Sequence, residues 1–128
     1  MQSFCIAVVD DEPAVRASLR RLLCAAGYSV VLFASGSDFL QSLCDHRPDC
    51  VILDLAMPGL TGLDVLPSLN ALKIPAIVIT ASDDMHLARP SIDAGARALL
   101  RKPTLAGDLF AAIESALADS PTASVTSH

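Results

Sequence analysis

Tryptophan is absent from this 128-residue chain, and one tyrosine and four phenylalanines bring the aromatic content to only 4%. A core must therefore be filled by Leu, Val, Ile and Ala, which the 52% apolar content supplies in quantity. The length suits one domain with one core. Basic charge is also scarce: nine Lys and Arg stand against fourteen Asp and Glu, for a net charge of −5. Without a basic stripe, contact with nucleic acid by this domain is disfavoured, and a metal cation or a basic protein surface suits it better. No apolar run approaches the ~18–20 residues that span a membrane. No targeting peptide is expected, because a strand begins by residue 4. Neither G-x-G-x-x-G nor G-x-x-x-x-G-K-[ST] occurs, which disfavours nucleotide-binding folds. The four cysteines, Cys5, Cys24, Cys44 and Cys50, form no C-x-x-C pair. They are expected to be reduced core residues of a cytosolic protein, not a zinc site or disulfides.

What is present is an alternation of apolar runs with amphipathic segments. Phe4–Val9 reads as a buried strand. Residues 12–26 read as a helix with Val15, Leu19, Leu22, Leu23 and Ala26 at helical spacing, closed by Gly27. Val30–Phe33 is a short second strand, and residues 37–45 a helix turning Phe39, Leu40, Leu43 and Cys44 inward. Residues 49–53 form the most apolar strand and deliver Asp54 at its end. Thr61-x-x-Asp64 has the form of an N-cap with an acidic partner, opening a third helix through Val65, Leu66 and Leu69. Ala76–Ile79 is a fourth strand, a weak helix ends at Gly95, Ala98–Leu100 is a fifth strand, and residues 105–118 are the last helix. Asp119–His128 is rich in Ser, Thr, Ala and Pro without an apolar period, so a domain over 1–118 and a disordered tail or linker over 119–128 are expected. Continuous apolar strands in βα order imply an α/β fold: a parallel sheet covered by helices on both faces.

Right-handed crossovers place every βα loop on one rim of such a sheet, where ligands bind. That rim would carry Asp10, Asp11 and Glu12, then Asp54, then Thr80 and Ser82, and finally Lys102, one of two lysines in the chain. Each residue alone has a plain reading: Asp10 and Asp11 as helix caps, Asp54 as a turn residue, Thr80 as a strand-end hydroxyl, Lys102 as a solvated charge. Together they make a chemical set. Three clustered carboxylates repel one another unless a hard divalent cation joins them. A carboxylate can attack phosphorus to give an acyl phosphate. A metal and Lys102 would neutralise the phosphoryl oxygens, and the Thr80 hydroxyl could donate to them.

Val8-Val9-Asp10-Asp11-Glu12, the run from Leu53-Asp54 to Met57-Pro58-Gly59-Leu60-Thr61-Gly62, Ile79-Thr80-Ala81 and Lys102-Pro103 occur in order across residues 4–118. In these blocks the chain resembles the CheY-like receiver domain of bacterial response regulators, with wording closest to the FixJ/NarL and NtrC-type branches. The resemblance implies a flavodoxin-like (βα)5 sheet of strand order 2-1-3-4-5. It implies a two-component signalling module, not an enzyme in its output, in which Asp54 accepts a phosphoryl group from a histidine kinase or phosphotransfer protein. It further implies Mg²⁺ (or Mn²⁺) held by Asp11, Asp54 and the Ala56 carbonyl, with Asp10 acting through water. Lys102 would pair with the phosphate, Thr80 would move toward it, and the Lys102–Pro103 bond would be cis. A cytoplasmic location and a homodimer through helix 4, strand 5 and helix 5 are implied as well, with no membrane and no nucleic acid contact by this domain.

Three departures from the family pattern stand out. The usual aromatic three residues before the lysine is Leu99 here, which cannot swing a ring. Pro90 falls in the segment Met85–Ala94, so the fourth helix should start near residue 88 or 89 or be irregular; Pro67 poses a milder problem just past the first turn of the third helix. Ala56 and Ser82, which follow Asp54 and Thr80 by two residues, are small and uncharged tuning positions. Two other functions compete. A haloacid-dehalogenase-like phosphatase would need an Asp at position 56, where Ala56 stands. A pseudo-receiver scaffold would not need the intact Asp11, Asp54, Thr80 and Lys102.

Overall fold

The computed structural model describes residues 3–118. The expected tail at 119–128 lies outside the described residues. Five strands, β1 (Cys5–Val9), β2 (Ser29–Phe33), β3 (Cys50–Asp54), β4 (Ala76–Thr80) and β5 (Ala98–Arg101), form one parallel sheet in the order β2-β1-β3-β4-β5. The helices are α1 (Pro13–Ala25), α2 (Gly36–Ser42), α3 (Gly62–Ala71), α4 (Ala88–Asp93) and α5 (Ala106–Ala118). The α/β class, the flavodoxin-like topology and the strand order all match expectation.

Strand side chains alternate between the two faces of a sheet, and the core divides accordingly. Ile6, Val8, Ile52, Ile77 and Ile79 pack with Leu19 and Leu23 of α1 and Leu109 and Ile113 of α5. Ala7, Val9, Val51, Leu53 and Val78 pack with Phe39 of α2 and Val65, Leu66 and Leu69 of α3. The central strands β3 and β4 are buried at every position, which is why they read as unbroken apolar runs.

Helix ends account for most differences from the sequence reading. α2 stops at Ser42, not residue 45: the Ser42 hydroxyl donates to the Phe39 carbonyl at 2.6 Å, a local bond that competes with helix continuation. Cys44 therefore falls in a turn and is exposed, as is Cys24 on the outer side of α1. Those two are not core residues. Cys50 is fully buried, and burial pushes its thiol up to about 12. Ala26, beyond the end of α1, is exposed too. Asp64 accepts hydrogen bonds from the Thr61 N–H at 2.9 Å and the Thr61 hydroxyl at 3.1 Å, so the expected cap opens α3.

The prolines behave differently from one another. Pro90 occupies the third position of a six-residue α4, within the first turn, where backbone N–H groups have no helical partner anyway. A 3-10 segment, Ser82–Leu87, fills the space before it, with Asp84 off helical geometry. Pro67 lies deeper than expected, in the second turn of α3, on its exposed side.

Candidate phosphoryl-transfer site

The sheet's alternation decides which strand-end residues can meet. Asp54 continues the Cys50, Ile52 row on the α1/α5 face, and Asp10 and Lys102 continue the Ile6, Val8 and Ala98, Leu100 rows on that same face. Thr80 and Leu99 belong to rows facing α2–α4. Backbone hydrogen bonds fix the depth of each residue at the rim. Asp10 N–H donates to the Phe33 carbonyl (3.1 Å), Leu55 N–H to the Ile79 carbonyl (3.1 Å) and Lys102 N–H to the Thr80 carbonyl (2.8 Å). Gly62 sets the other wall: a Cβ there would stand 2.6 Å from the Asp54 carbonyl oxygen, so only glycine lets α3 begin so close to Asp54.

The acidic side chains do converge. Carboxylate oxygens of Asp10, Asp11 and Asp54 all lie within 4.8 Å of one another. Asp10 and Asp54 are buried, and Asp11 is exposed. Neither Asp10 nor Asp11 caps α1. Its N-cap is Glu12, and Asp10 Oδ1 instead accepts the Glu12 N–H at 2.9 Å. Asp54 Oδ1 accepts the Ala56 N–H at 3.2 Å. Lys102 Nζ stands among three carboxylates: 3.1 Å from Glu12 Oε1, 3.2 Å from Asp10 Oδ2 and 3.4 Å from Asp54 Oδ2. The Lys102–Pro103 peptide is cis, as expected.

Electrostatics follow from this crowding. Burial, and then the charge of Asp10, push Asp54 from 3.8 up to about 6, with Lys102 and the Ala56 N–H acting in the opposite sense. Asp10 is also raised, chiefly by burial. For Lys102, burial works to lower the pKa, but the hydrogen bond to Glu12 and the charges of Asp54 and Asp10 outweigh it and raise it.

The donor set fits a hard divalent cation. It consists of oxygens alone, without the nitrogen or sulfur ligands zinc favours. Asp10 Oδ2 is buried, and its one polar neighbour among the described residues is the Lys102 ammonium, an ion pair at 3.2 Å, which leaves the oxygen room for a further partner. A cation or its bound water would use that oxygen.

Residues 6–114 match the profile of the response regulator receiver domain family. The chain belongs to that family. Its relatives include response regulators. It is 42% identical over 114 residues to the response regulator MprA of Mycobacterium sp. (strain KMS), covering 88% of this chain and 50% of that protein. The chain thus spans about half the length of the curated relatives it matches. Among solved structures, full-length FixJ from B. japonicum superposes with a TM-score of 0.87 at 36% identity, covering 97% of this chain and 63% of that one. A response regulator receiver protein from Burkholderia phymatum gives 0.83 at 38% identity, covering 93% and 99%. The receiver domain is thereby placed in two-component signalling.

Two residues stand apart from the cluster. The Thr80 hydroxyl is buried and donates to the adjacent Ala81 carbonyl (3.3 Å) instead of reaching Asp54. Leu99 is half-buried against the α2–α4 core. Ser82 is exposed at the start of the 3-10 segment, and Ala56 is half-buried beside Asp54. Glu12, which the sequence reading left on the rim without a role, makes the shortest of the three contacts to Lys102. Its position directly after Asp10-Asp11 was the only signal that could have singled it out.

Proposed function

We propose that this receiver domain takes a phosphoryl group onto Asp54 from the phosphohistidine of a sensor kinase or phosphotransfer protein. In that step Asp54 forms a P–O bond while the donor's P–N bond breaks, leaving the imidazole and an acyl phosphate. The observation that carries the reading is the meeting of Asp10, Asp11 and Asp54 with Lys102 at one rim. Asp11, Asp54 and the Ala56 carbonyl are assigned to hold Mg²⁺ or Mn²⁺, with Asp10 bound through water. When bound, the cation supplies positive charge that offsets the phosphoryl oxygens. It also offsets the burial and the Asp10 charge that together push Asp54 up to about 6, so Asp54 attacks as the carboxylate.

Lys102 then turns from the Asp54 carboxylate to the phosphoryl oxygens, and Thr80 rotates from the Ala81 carbonyl to donate to them. Ala56 and Ser82, two residues after Asp54 and Thr80, are small and uncharged, so neither of those side chains would shield the phosphoryl group or activate a water. The output is binding, not turnover. Switching is assigned to the α4–β5–α5 face, where Ile92 and Leu105 stand 46% and 68% exposed and could meet a second copy. A cytoplasmic location alongside the kinase is part of this reading; among the described residues no helix is long and apolar enough to cross a membrane. Ala56 stands where a haloacid-dehalogenase-like phosphatase needs its acid, which removes support for that reading.

Incubation with acetyl phosphate and Mg²⁺, followed by intact-mass measurement, tests this. The expected result is the gain of one phosphoryl group by the native chain and none by Asp54→Asn. An adduct that persists in Asp54→Asn would refute the assignment.

A further inference from the structure

Lys102 is surrounded by more negative charge than phosphoryl transfer requires. An ammonium has three N–H donors, and here they face three carboxylates, those of Glu12, Asp10 and Asp54. Two of these belong to the buried cluster. Glu12 does not: its side chain is 60% exposed and reaches Lys102 from the N-cap of α1, ninety positions away in sequence. We propose that Glu12 is a positioning residue that holds Lys102 toward α1 before phosphorylation and competes with the phosphoryl group for it. This deepens the function proposed above and rests on that reading of Asp54 and Lys102.

The local structure leaves Glu12 a single freedom. Its backbone N–H is tied to Asp10 Oδ1 at 2.9 Å, and its carbonyl accepts the Arg16 N–H at 3.1 Å. Pro13 follows and fixes its own φ at the first position of the helix. The backbone is therefore pinned, and only the side chain can leave. It has somewhere to go: being 60% exposed, it can swing into solvent and away from the apolar cleft of about 350 Å³, lined by Val15, Leu19, Leu22 and Pro103, that it and Lys102 flank.

The other two partners are not free to release the lysine in this way. Asp10 is fully buried and already engaged with the Glu12 backbone through Oδ1. Asp54 is buried and bonded to the Ala56 N–H. When Asp54 becomes an acyl phosphate, its carboxylate charge is replaced by that of the phosphoryl oxygens, and Lys102 must reorient toward them. The Glu12 contact is the one that must loosen. Glu12 thus opposes loading of the site by an amount set by a single half-screened ion pair, and it receives the lysine back on dephosphorylation.

Calorimetric titration with beryllofluoride, a phosphoryl mimic, in saturating Mg²⁺ tests this on the whole chain. Glu12→Gln should bind the mimic about two- to fivefold more tightly than the native protein, the range expected for releasing one exposed pair. Glu12→Asp keeps the charge but is one methylene shorter and cannot hold the contact. It should match Glu12→Gln if the ion pair is what matters, and behaviour like the native protein would overturn the proposal in favour of bulk charge. Because the chain has only two lysines, Lys73 and Lys102, ¹⁵N spectra of the side-chain ammonium groups give a second readout. The Lys102 signal should move in Glu12→Gln and the Lys73 signal should not; an unmoved Lys102 signal or unchanged mimic affinity would overturn the proposal. Loss of binding in Asp54→Asn separates the two layers: if the native chain itself takes no mimic, both the Asp54 reading and the Glu12 proposal fall, whereas native binding without the Glu12 effect removes the latter alone.

Discussion

Replacing Asp54 by asparagine should stabilise the metal-free protein at neutral pH, the reverse of the usual outcome for a buried polar site. Asp54 is 3% exposed and has its pKa pushed from 3.8 up to about 6, first by burial and then by Asp10. Below about pH 4 the carboxyl carries its proton in the folded and unfolded chain alike, and no penalty arises. Between pH 4 and 6 the unfolded chain ionises while the fold retains the proton, so stability falls as pH rises. Above pH 6 the loss is complete. Each pH unit between the two values is worth about 1.4 kcal/mol, giving an upper bound of about 3 kcal/mol. Asparagine keeps an oxygen for the Ala56 N–H but gives up the 3.4 Å contact with Lys102. The expected gain is therefore about 1–2 kcal/mol at pH 7.5, on the order of 3–10 °C in Tm for a domain of this size. Thermal melts in EDTA from pH 4 to 8, followed by circular dichroism, measure it. The gap between variant and native protein should open through pH 4–6 and stay open. Mg²⁺ at a hundredfold excess over its Kd should then stabilise the native chain by about 2.7 kcal/mol and close or invert the gap. An Asp54→Asn variant no more stable than the native protein in EDTA at pH 7.5, or a gap that ignores pH, would refute the picture of a frustrated carboxylate cluster.

Three other outcomes follow from the same geometry. Lys102→Met leaves Asp10 and Asp54 buried without their cation and should cost about 1–3 kcal/mol in urea unfolding at pH 7.5. That cost should shrink toward pH 4 as the two raised carboxyls protonate; an equal cost at both pH values would point to lost packing instead. Gly62→Ala places a methyl carbon 2.6 Å from the Asp54 carbonyl and 2.8 Å from Leu55 Cα, backbone atoms that cannot rotate away. A loss of about 1–3 kcal/mol is expected, together with weaker Mg²⁺ binding by calorimetry, and an unchanged midpoint would contradict the close approach. Native-state hydrogen exchange should find residues 82–93, built from a 3-10 segment and a six-residue helix, far less protected than β3 and β4. High protection across that segment would show that Pro90 leaves the region rigid.

The sheet was legible because its central strands are buried on both faces, so Cys50–Leu53 and Ala76–Ile79 could be read without periodicity. Given a parallel sheet, topology alone brought Asp10, Asp54 and Lys102 to one rim, and alternation brought them to one face. Helix ends were less legible, since a single serine hydroxyl shortens α2 and no propensity scale registers it. Two of the cysteines were misjudged for a related reason: an apolar residue type was taken as a buried one, while Cys24 lies on the outer side of α1 and Cys44 falls in the turn after α2. Glu12 was hidden by distance. Its partner lies across the fold, and only coordinates show that Lys102 meets a third carboxylate. Leu99 and Pro90 could be read as departures, but the 3-10 segment that accommodates Pro90 depends on packing beyond the residues themselves.

The division of strand-end residues between the two faces of the sheet has a consequence for how such a domain can change over time. Asp10, Asp54 and Lys102 lie on the side of α1 and α5, while Thr80 and Leu99 lie on the side of α2–α4. On the proposed function, the residues that would load the site and the Thr80 and Leu99 positions that would announce it are thus anchored in separate hydrophobic cores on opposite faces of one sheet. A substitution such as leucine for an aromatic at position 99 can rewire the announcement without entering the core that supports the reacting carboxylate. On the proposed reading, sensing at Thr80 and Leu99 can change apart from loading at Asp54, and the two meet again at α5, which packs in the core beneath Asp54 and also belongs to the proposed output face.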